Sequence, residues 1–248
     1  MSKFSDNLPI VYINRDEDVD RRAYMESQFE SLGITNAVRF SAFTDELIKA
    51  DPGFRISIEE VREKVLKAFV SHLLALKSLN FKDSPYALVL EDDVVLSTSN
   101  NWPFTLEEFC EALPNGWDAV QLYLNPKFRS DNADLTLRPY RESHISTVAY
   151  LITKERAEAA VSEWFRVGVP DVLKAQSRGE GFLTDHLVYT DKSYAVNLFS
   201  TKDFVSTIVK KIPDRFHESS RRVVSLWENS PVSLEKIIKD SYTKTPTP

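Results

Sequence analysis

The chain has 248 residues, with 31 basic and 37 acidic side chains and a formal charge of −6. Hydrophobic residues make up 42% and charged ones 27%, enough for a sizeable core, which excludes a disordered chain; the acidic balance and the lack of a basic tail exclude a general nucleic-acid binder. One cysteine, Cys110, excludes an intramolecular disulfide framework.

In chain order, Met1 to Asn7 is polar and lacks the charged start and apolar stretch of a secretory signal. No apolar stretch reaches the roughly 18 residues that span a bilayer, so the expected location is the cytoplasm. Leu8 to Asn14 is a short apolar, β-branched run and reads as a buried first strand. Asp18 to Leu32 follows with Arg22, Met25, Phe29 and Leu32 at helical spacing, and Gly33 stops the helix. Ala37 to Phe43 reads as a second strand, so the chain opens as a β-α-β unit with parallel strands. Ser57 and Glu60 form a capping-box pattern ahead of a long helix whose inner face carries Val61, Val65, Phe69, Leu73 and Leu76. After Ser84-Pro85, Tyr86 to Leu90 is a compact apolar run that reads as a central strand. Trp117 to Leu124 and Ile145 to Thr153 are further strands, the second leading into a helix from Lys154 to about Phe165. From Gly168 to Arg222 the pattern weakens around Pro170, Gly179, Gly181 and Pro213, which predicts long loops and short elements.

The central strand ends abruptly in Glu91-Asp92-Asp93. In open parallel sheets, ligands bind beyond the carboxyl ends of the strands. Three adjacent carboxylates repel one another, and a hard divalent cation relieves that repulsion while bridging to substrate phosphates. The other reading is a solvated acidic turn. The apolar runs on both sides, YALVL and VVL, favour a turn held by buried strands.

Five segments then stand in a recognisable order: VYINRDEDVDRR (11–22), RFSAF (39–43), AFVSHLLAL (68–76), YALVLEDDVVL (86–96) and TVAYLITKERA (147–157). Together they resemble glycosyltransferase family 25, which includes bacterial lipooligosaccharide galactosyltransferases and collagen galactosyltransferases. The resemblance covers Leu8 to Ala157. It implies an α/β fold of the glycosyltransferase A type, with a mostly parallel central sheet and helices on both faces. It also implies a nucleotide-sugar donor, usually UDP-galactose, Mn²⁺ or Mg²⁺ as cofactor, a glycan acceptor such as lipopolysaccharide, and inversion at the anomeric carbon. On this reading residues 1–242 form a single domain, with a donor-binding half over about 8–157 and an acceptor-side half over about 158–242, and residues 243–248 are a disordered tail.

By the same resemblance Asp93 is the metal ligand, and Asp92 or Glu91 holds the ribose or a metal-bound water. Asn14, Arg21 and Arg22 fall in the family's first loop, where an arginine fork suits a donor phosphate; the alternative is a solvated helix start. The family more often has Leu where this chain has Arg15. Ser71-His72 matches a Ser-His pair, so His72 faces the donor site or is a core histidine. Asp185, in GFLTDHLVY, is the expected general base, with Asp171 as a second candidate; the alternative is that Thr184 or Asp185 caps a short helix. His144 and His217 are candidates to complete a metal shell. Ser200 to Ile208 has Thr207 where the family has Asp and is assigned no catalytic role. Trp102, Trp117, Trp164 and Trp227 read as core more readily than as sugar platforms, and Cys110 as a small core residue. Two other functions compete: a metal-dependent phosphohydrolase or nucleotidyltransferase, and a non-catalytic sugar-nucleotide-binding protein.

Overall fold

The computed structural model describes residues 3–43, 60–124, 135–141, 144, 146–166, 169–170, 184–202 and 214–243. The opening β-α-β unit comprises β1 (Ile10–Asn14), α1 (Val19–Leu32) and β2 (Ala37–Ser41), with β1 and β2 parallel as expected. Gly33 ends α1 in the left-handed conformation, φ 67°, its N–H reaching back to Glu30 and Phe29, a geometry that glycine adopts at no steric cost. The inner face of α1 differs from the reading by periodicity. Met25, Gln28 and Phe29 are buried, whereas Arg22 lies at the surface beside Glu26.

The long helix α2 (Glu60–Ser78) buries Phe69, Leu73 and Leu76; Ser57 lies outside the described residues, as does the side chain of Val61. Then come β3 (Tyr86–Glu91), β4 (Val94–Val95), a 3₁₀ turn (Ser97–Asn101) and α3 (Leu106–Glu111). A capping box fastens the start of α3, with Thr105 and Glu108 each bonding the other's backbone N–H. The strand expected over Trp117 to Leu124 is shorter, β5 (Ala119–Gln121). After β6 (Arg138–Pro139), the strand expected from Ile145 begins at Ala149 as β7 (Ala149–Thr153), and α4 (Lys154–Trp164) follows it directly. The weakly patterned region holds short elements: β8 (Phe165–Arg166), β9 (Val169–Pro170), α5 (Asp185–Val188), β10 (Tyr194–Ala195) and β11 (Ser200–Thr201). Helices α6 (Asp214–Asn229) and α7 (Leu234–Thr243) complete the described chain.

Seven strands form one sheet in the order β2-β1-β3-β7-β5-β10-β6. Strands β2, β1, β3, β5 and β10 run one way; β7 and β6 run against them. The sheet is therefore mainly parallel, with helices on both faces, as the resemblance implies. Alternation along each strand divides the core in two. Ile10, Tyr12, Leu88, Leu90, Val120 and Leu151 pack on one face with Met25 and Phe29 of α1, Trp102, and Trp227 of α6. Val11, Ile13, Ala87, Val89, Tyr150 and Ile152 pack on the other with Phe69 and Leu73 of α2 and Trp164 of α4. Trp102, Trp164 and Trp227 are buried in these layers and Cys110 is buried on α3, so the core readings hold.

Candidate active site

Strands β1 and β3 end side by side, because Ile13 pairs with Glu91. That register sets Asn14 next to the acidic turn. β7 is antiparallel to β3, so the residues leading into it, Ser146 to Val148, arrive at the same edge; the backbone N–H of Glu91 donates to the carbonyl of Val148 (2.7 Å). β4 pairs with β11 just beyond, and the N–H of Lys202 donates to the carbonyl of Asp93 (2.7 Å). The three carboxylates thus sit in a cradle made by chain segments far apart in sequence.

Each carboxylate has a different environment. Asp92, nearly buried, has both oxygens held: Asn14 Nδ2 donates to Oδ2 and Arg21 Nη1 to Oδ1, both at 2.8 Å. Burial raises its pKa and the Arg21 and Asn14 bonds pull it back, with the net direction upward. Asn14 is itself fixed, with its Oδ1 accepting from Arg39 Nε (2.9 Å) and its Nδ2 also donating to the carbonyl of Asp18 (3.1 Å). Glu91 Oε1 accepts from Thr147 Oγ1 (2.9 Å) and lies 3.3 Å from His72 Nε2. Burial opposes ionisation of Glu91, yet the bonds from His72 and Thr147 overcome it and hold the carboxyl below its ordinary range. His72, 2% exposed, contacts Tyr150 Oη through Nδ1 (3.1 Å), so its ring is both a core residue and a brace behind Glu91.

Asp93 is the odd one. A quarter of its side chain remains exposed (26%), but its Oδ1 is buried and accepts no hydrogen bond. Arg21 Nη1 stands 3.9 Å from its other oxygen. Burial, with Glu91 adding to it, pushes this carboxyl up to about 7. A buried carboxylate oxygen without a donor is costly, and it is the donor type that a hard divalent cation selects. Among the described residues no group of three His, Cys, Asp or Glu side chains converges on one point. Asp93 alone of the three acids offers a buried oxygen that no donor holds, and it is the residue that would suit a divalent cation.

Asp185 lies at the start of α5, 5% exposed. Its Oδ1 accepts from the N–H of Ser146 (2.7 Å), a residue 39 positions away, and Thr184 makes no side-chain cap. The carboxylate therefore ties α5 to the entry of β7. Burial raises its pKa despite that bond. Tyr189 buttresses it, its hydroxyl donating to the carbonyl of Ser146 (2.9 Å) and its ring stacked on Tyr140 with centroids 4.4 Å apart. Arg156 secures α5 from behind by donating to the carbonyls of Leu187 and Val188 (2.6 and 3.2 Å).

Asn14, Arg21, His72 and the three acids are thus brought to one edge, with Asp185 joined to them through Ser146 and Thr147. Arg22 faces Glu26, 4.0 Å away. Arg15 pairs with Glu17 and Asp18 at the surface. His144 is buried in a turn, its Nδ1 accepting from the N–H of Arg141 (3.1 Å). Asp171, Thr207 and the side chain of His217 lie outside the described residues.

With this geometry in view, residues 7–167 match the family model Glycosyltransferase family 25 (LPS biosynthesis protein). The chain belongs to glycosyltransferase family 25. A search of curated proteins finds no match. Membership makes the chain a glycosyltransferase and implies a sugar donor and an acceptor as its partners. The matched span includes every residue of the cradle except Asp185 and the β11 segment. Among the described residues no helix is long and apolar enough to cross a membrane. Sequence reasoning missed Arg39, Thr147 and Gln28. The first two had a signal: a cation inside a strand and a hydroxyl leading into one.

Proposed function

We propose that this family 25 member is an inverting, divalent-metal-dependent transferase that moves galactose from UDP-galactose to a hydroxyl of lipopolysaccharide or another surface glycan. On this reading it works in the cytoplasm, with at most a peripheral membrane contact. The observation that carries the proposal is the buried, unpartnered Oδ1 of Asp93 at the carboxyl end of β3, beside an Asp92 whose oxygens are already held by Arg21 and Asn14.

Asp93 is the residue that would hold Mn²⁺ or Mg²⁺, with Glu91 and Asp92 shaping the pocket around it. When bound, the cation supplies Lewis-acid stabilisation of the charge that collects on the departing diphosphate. Arg21, near both Asp92 and Asp93, is placed to steady a donor phosphate. Inversion needs no covalent protein intermediate: the acceptor oxygen bonds the anomeric carbon as the bond to the diphosphate breaks. The acceptor's proton passes to a base, for which Asp185 is the proposed group. The bond from Ser146 fixes one of its oxygens, and burial moves its pKa upward, toward the range in which a base works best.

Thermal shift with a panel of nucleotide sugars, each with and without Mn²⁺, tests the reading. A ligand at about 100 times its Kd adds about 2.7 kcal/mol, which for a chain this size is about 5–10 °C. The expected result is a shift with UDP-galactose plus Mn²⁺ that is lost in Asp93→Ala. A metal-dependent shift with a different sugar corrects the donor, and no shift with any donor in folded protein overturns the proposal.

A further inference from the structure

Asp92 and Asp93 are served by the same guanidinium. Arg21 Nη1 is 2.8 Å from Asp92 Oδ1 and 3.9 Å from Asp93 Oδ2. The helix that carries Arg21 cannot retreat easily, because seven residues on, two turns along the same face, Gln28 is bonded to the far side of the acidic turn. Its Nε2 donates to the carbonyl of Val94 (2.9 Å) and its Oε1 accepts from the N–H of Leu96 (2.7 Å). Residues 92–96 are therefore fastened to α1 at both ends. Lys202, whose backbone touches Asp93, directs its ammonium to the ring of Tyr24, 4.0 Å from the centroid.

From this geometry we infer that Arg21 is the built-in counter-ion of the acidic turn and sets the turn's affinity for a divalent cation, opposing it. The inference rests on the metal reading proposed above. A cation bound by Asp93 must share that carboxylate's field with a positive charge already about 4 Å away, and like charges at such spacing repel strongly wherever water is partly excluded. Two consequences follow. The turn binds cation weakly by itself, and a donor diphosphate, by offering Arg21 an alternative anion, relieves the repulsion as it binds.

The test uses the full chain without nucleotide and titrates Mn²⁺, following the free ion by electron paramagnetic resonance, so no activity is needed. Four proteins are compared: wild type, Arg21→Gln, Arg21→Lys, and Lys154→Gln as a matched charge loss at the opposite end of the sheet, where Lys154 bonds the Pro85 carbonyl. The expected result is Mn²⁺ binding at least about tenfold tighter in Arg21→Gln, with Arg21→Lys and Lys154→Gln within about threefold of wild type. Tighter binding in Arg21→Gln where wild type binds too weakly to measure has the same meaning. If wild type binds Mn²⁺ and a folded Arg21→Gln binds equally or less tightly, the inference is wrong and the metal reading stands. An Arg21→Lys protein that binds as tightly as Arg21→Gln also overturns it, because positive charge is then not what opposes the ion. No binding by either wild type or Arg21→Gln, with or without UDP, removes the metal reading and the inference with it.

Discussion

Asp93 carries opposite demands. Its carboxyl is raised to about 7 in the fold, so the folded state holds a proton that the unfolded chain releases near pH 4. Its stability contribution is therefore full below about pH 4 and lost as pH rises through about 7. Asp93→Asn is expected to stabilise the ligand-free protein by about 2 kcal/mol at about pH 8, after discounting for its partial exposure, and by less than half of that at about pH 5. Thermal unfolding at the two pH values checks this, and the same variant is expected to lose transferase activity. Asp185→Asn keeps the acceptance from Ser146 but removes the proton acceptor. It is expected to lower kcat by about 10²–10⁴-fold with little change in the donor KM; a variant that retains full kcat excludes Asp185 as the base. These residues show where sequence reading reached and where it stopped. The acids were legible because three charges followed an apolar strand. The different partners of each acid were not, since Asn14 and Thr147 lie 78 and 56 positions from them.

Helix α1 acts as a ruler along the acidic turn. Gln28 occupies an inward position that periodicity would give to an apolar residue, and its amide satisfies the carbonyl of Val94 in β4 and the N–H of Leu96 just after it. Gln28→Leu has similar bulk and leaves both groups buried and unpaired. The expected cost is about 2–4 kcal/mol, a fall of about 4–16 °C in the thermal midpoint. Mn²⁺ binding should weaken as well, since the turn is then held at one end only. A Leu variant with unchanged midpoint would mean that water enters and replaces the amide. Boundaries at this scale were read well wherever a chemical stop was present: Gly33 closes α1 in the left-handed conformation, and Ser84-Pro85 precedes β3. They were read less well where a strand is shorter than expected. β5 is three residues long, in register with β7 over all three and with β10 over two.

At the scale of the molecule, the two halves of the core have separate duties. One layer is closed by α6, whose Trp227 is fully buried against Trp102 and Phe104 and donates to the carbonyl of Asn197 (3.3 Å). Trp227→Ala is expected to cost about 3–5 kcal/mol, about 6–20 °C. Assayed well below its transition, it should keep kcat within about threefold of wild type, because the tryptophan supports the layer through Trp102, Phe104 and the Asn197 carbonyl. A large loss of kcat in still-folded protein would place α6 in the site. The other layer, with α2, α4 and α5, carries His72, Tyr150 and Asp185 and so joins the acidic turn to the proposed base.

Local periodicity and motifs within one stretch of chain suffice for the α/β class, the parallel opening unit, the burial of β1 and β3 and the family to which the chain belongs. Only the tertiary structure decided that β7 runs against its neighbours, that Asp92 is occupied by Arg21 and Asn14 while Asp93 keeps a buried oxygen unpaired, and that Ser146 and Thr147 link Asp185 to Glu91. The reason is physical: which partner reaches a buried carboxylate depends on strand register and direction, and those are set by contacts between segments far apart in the chain.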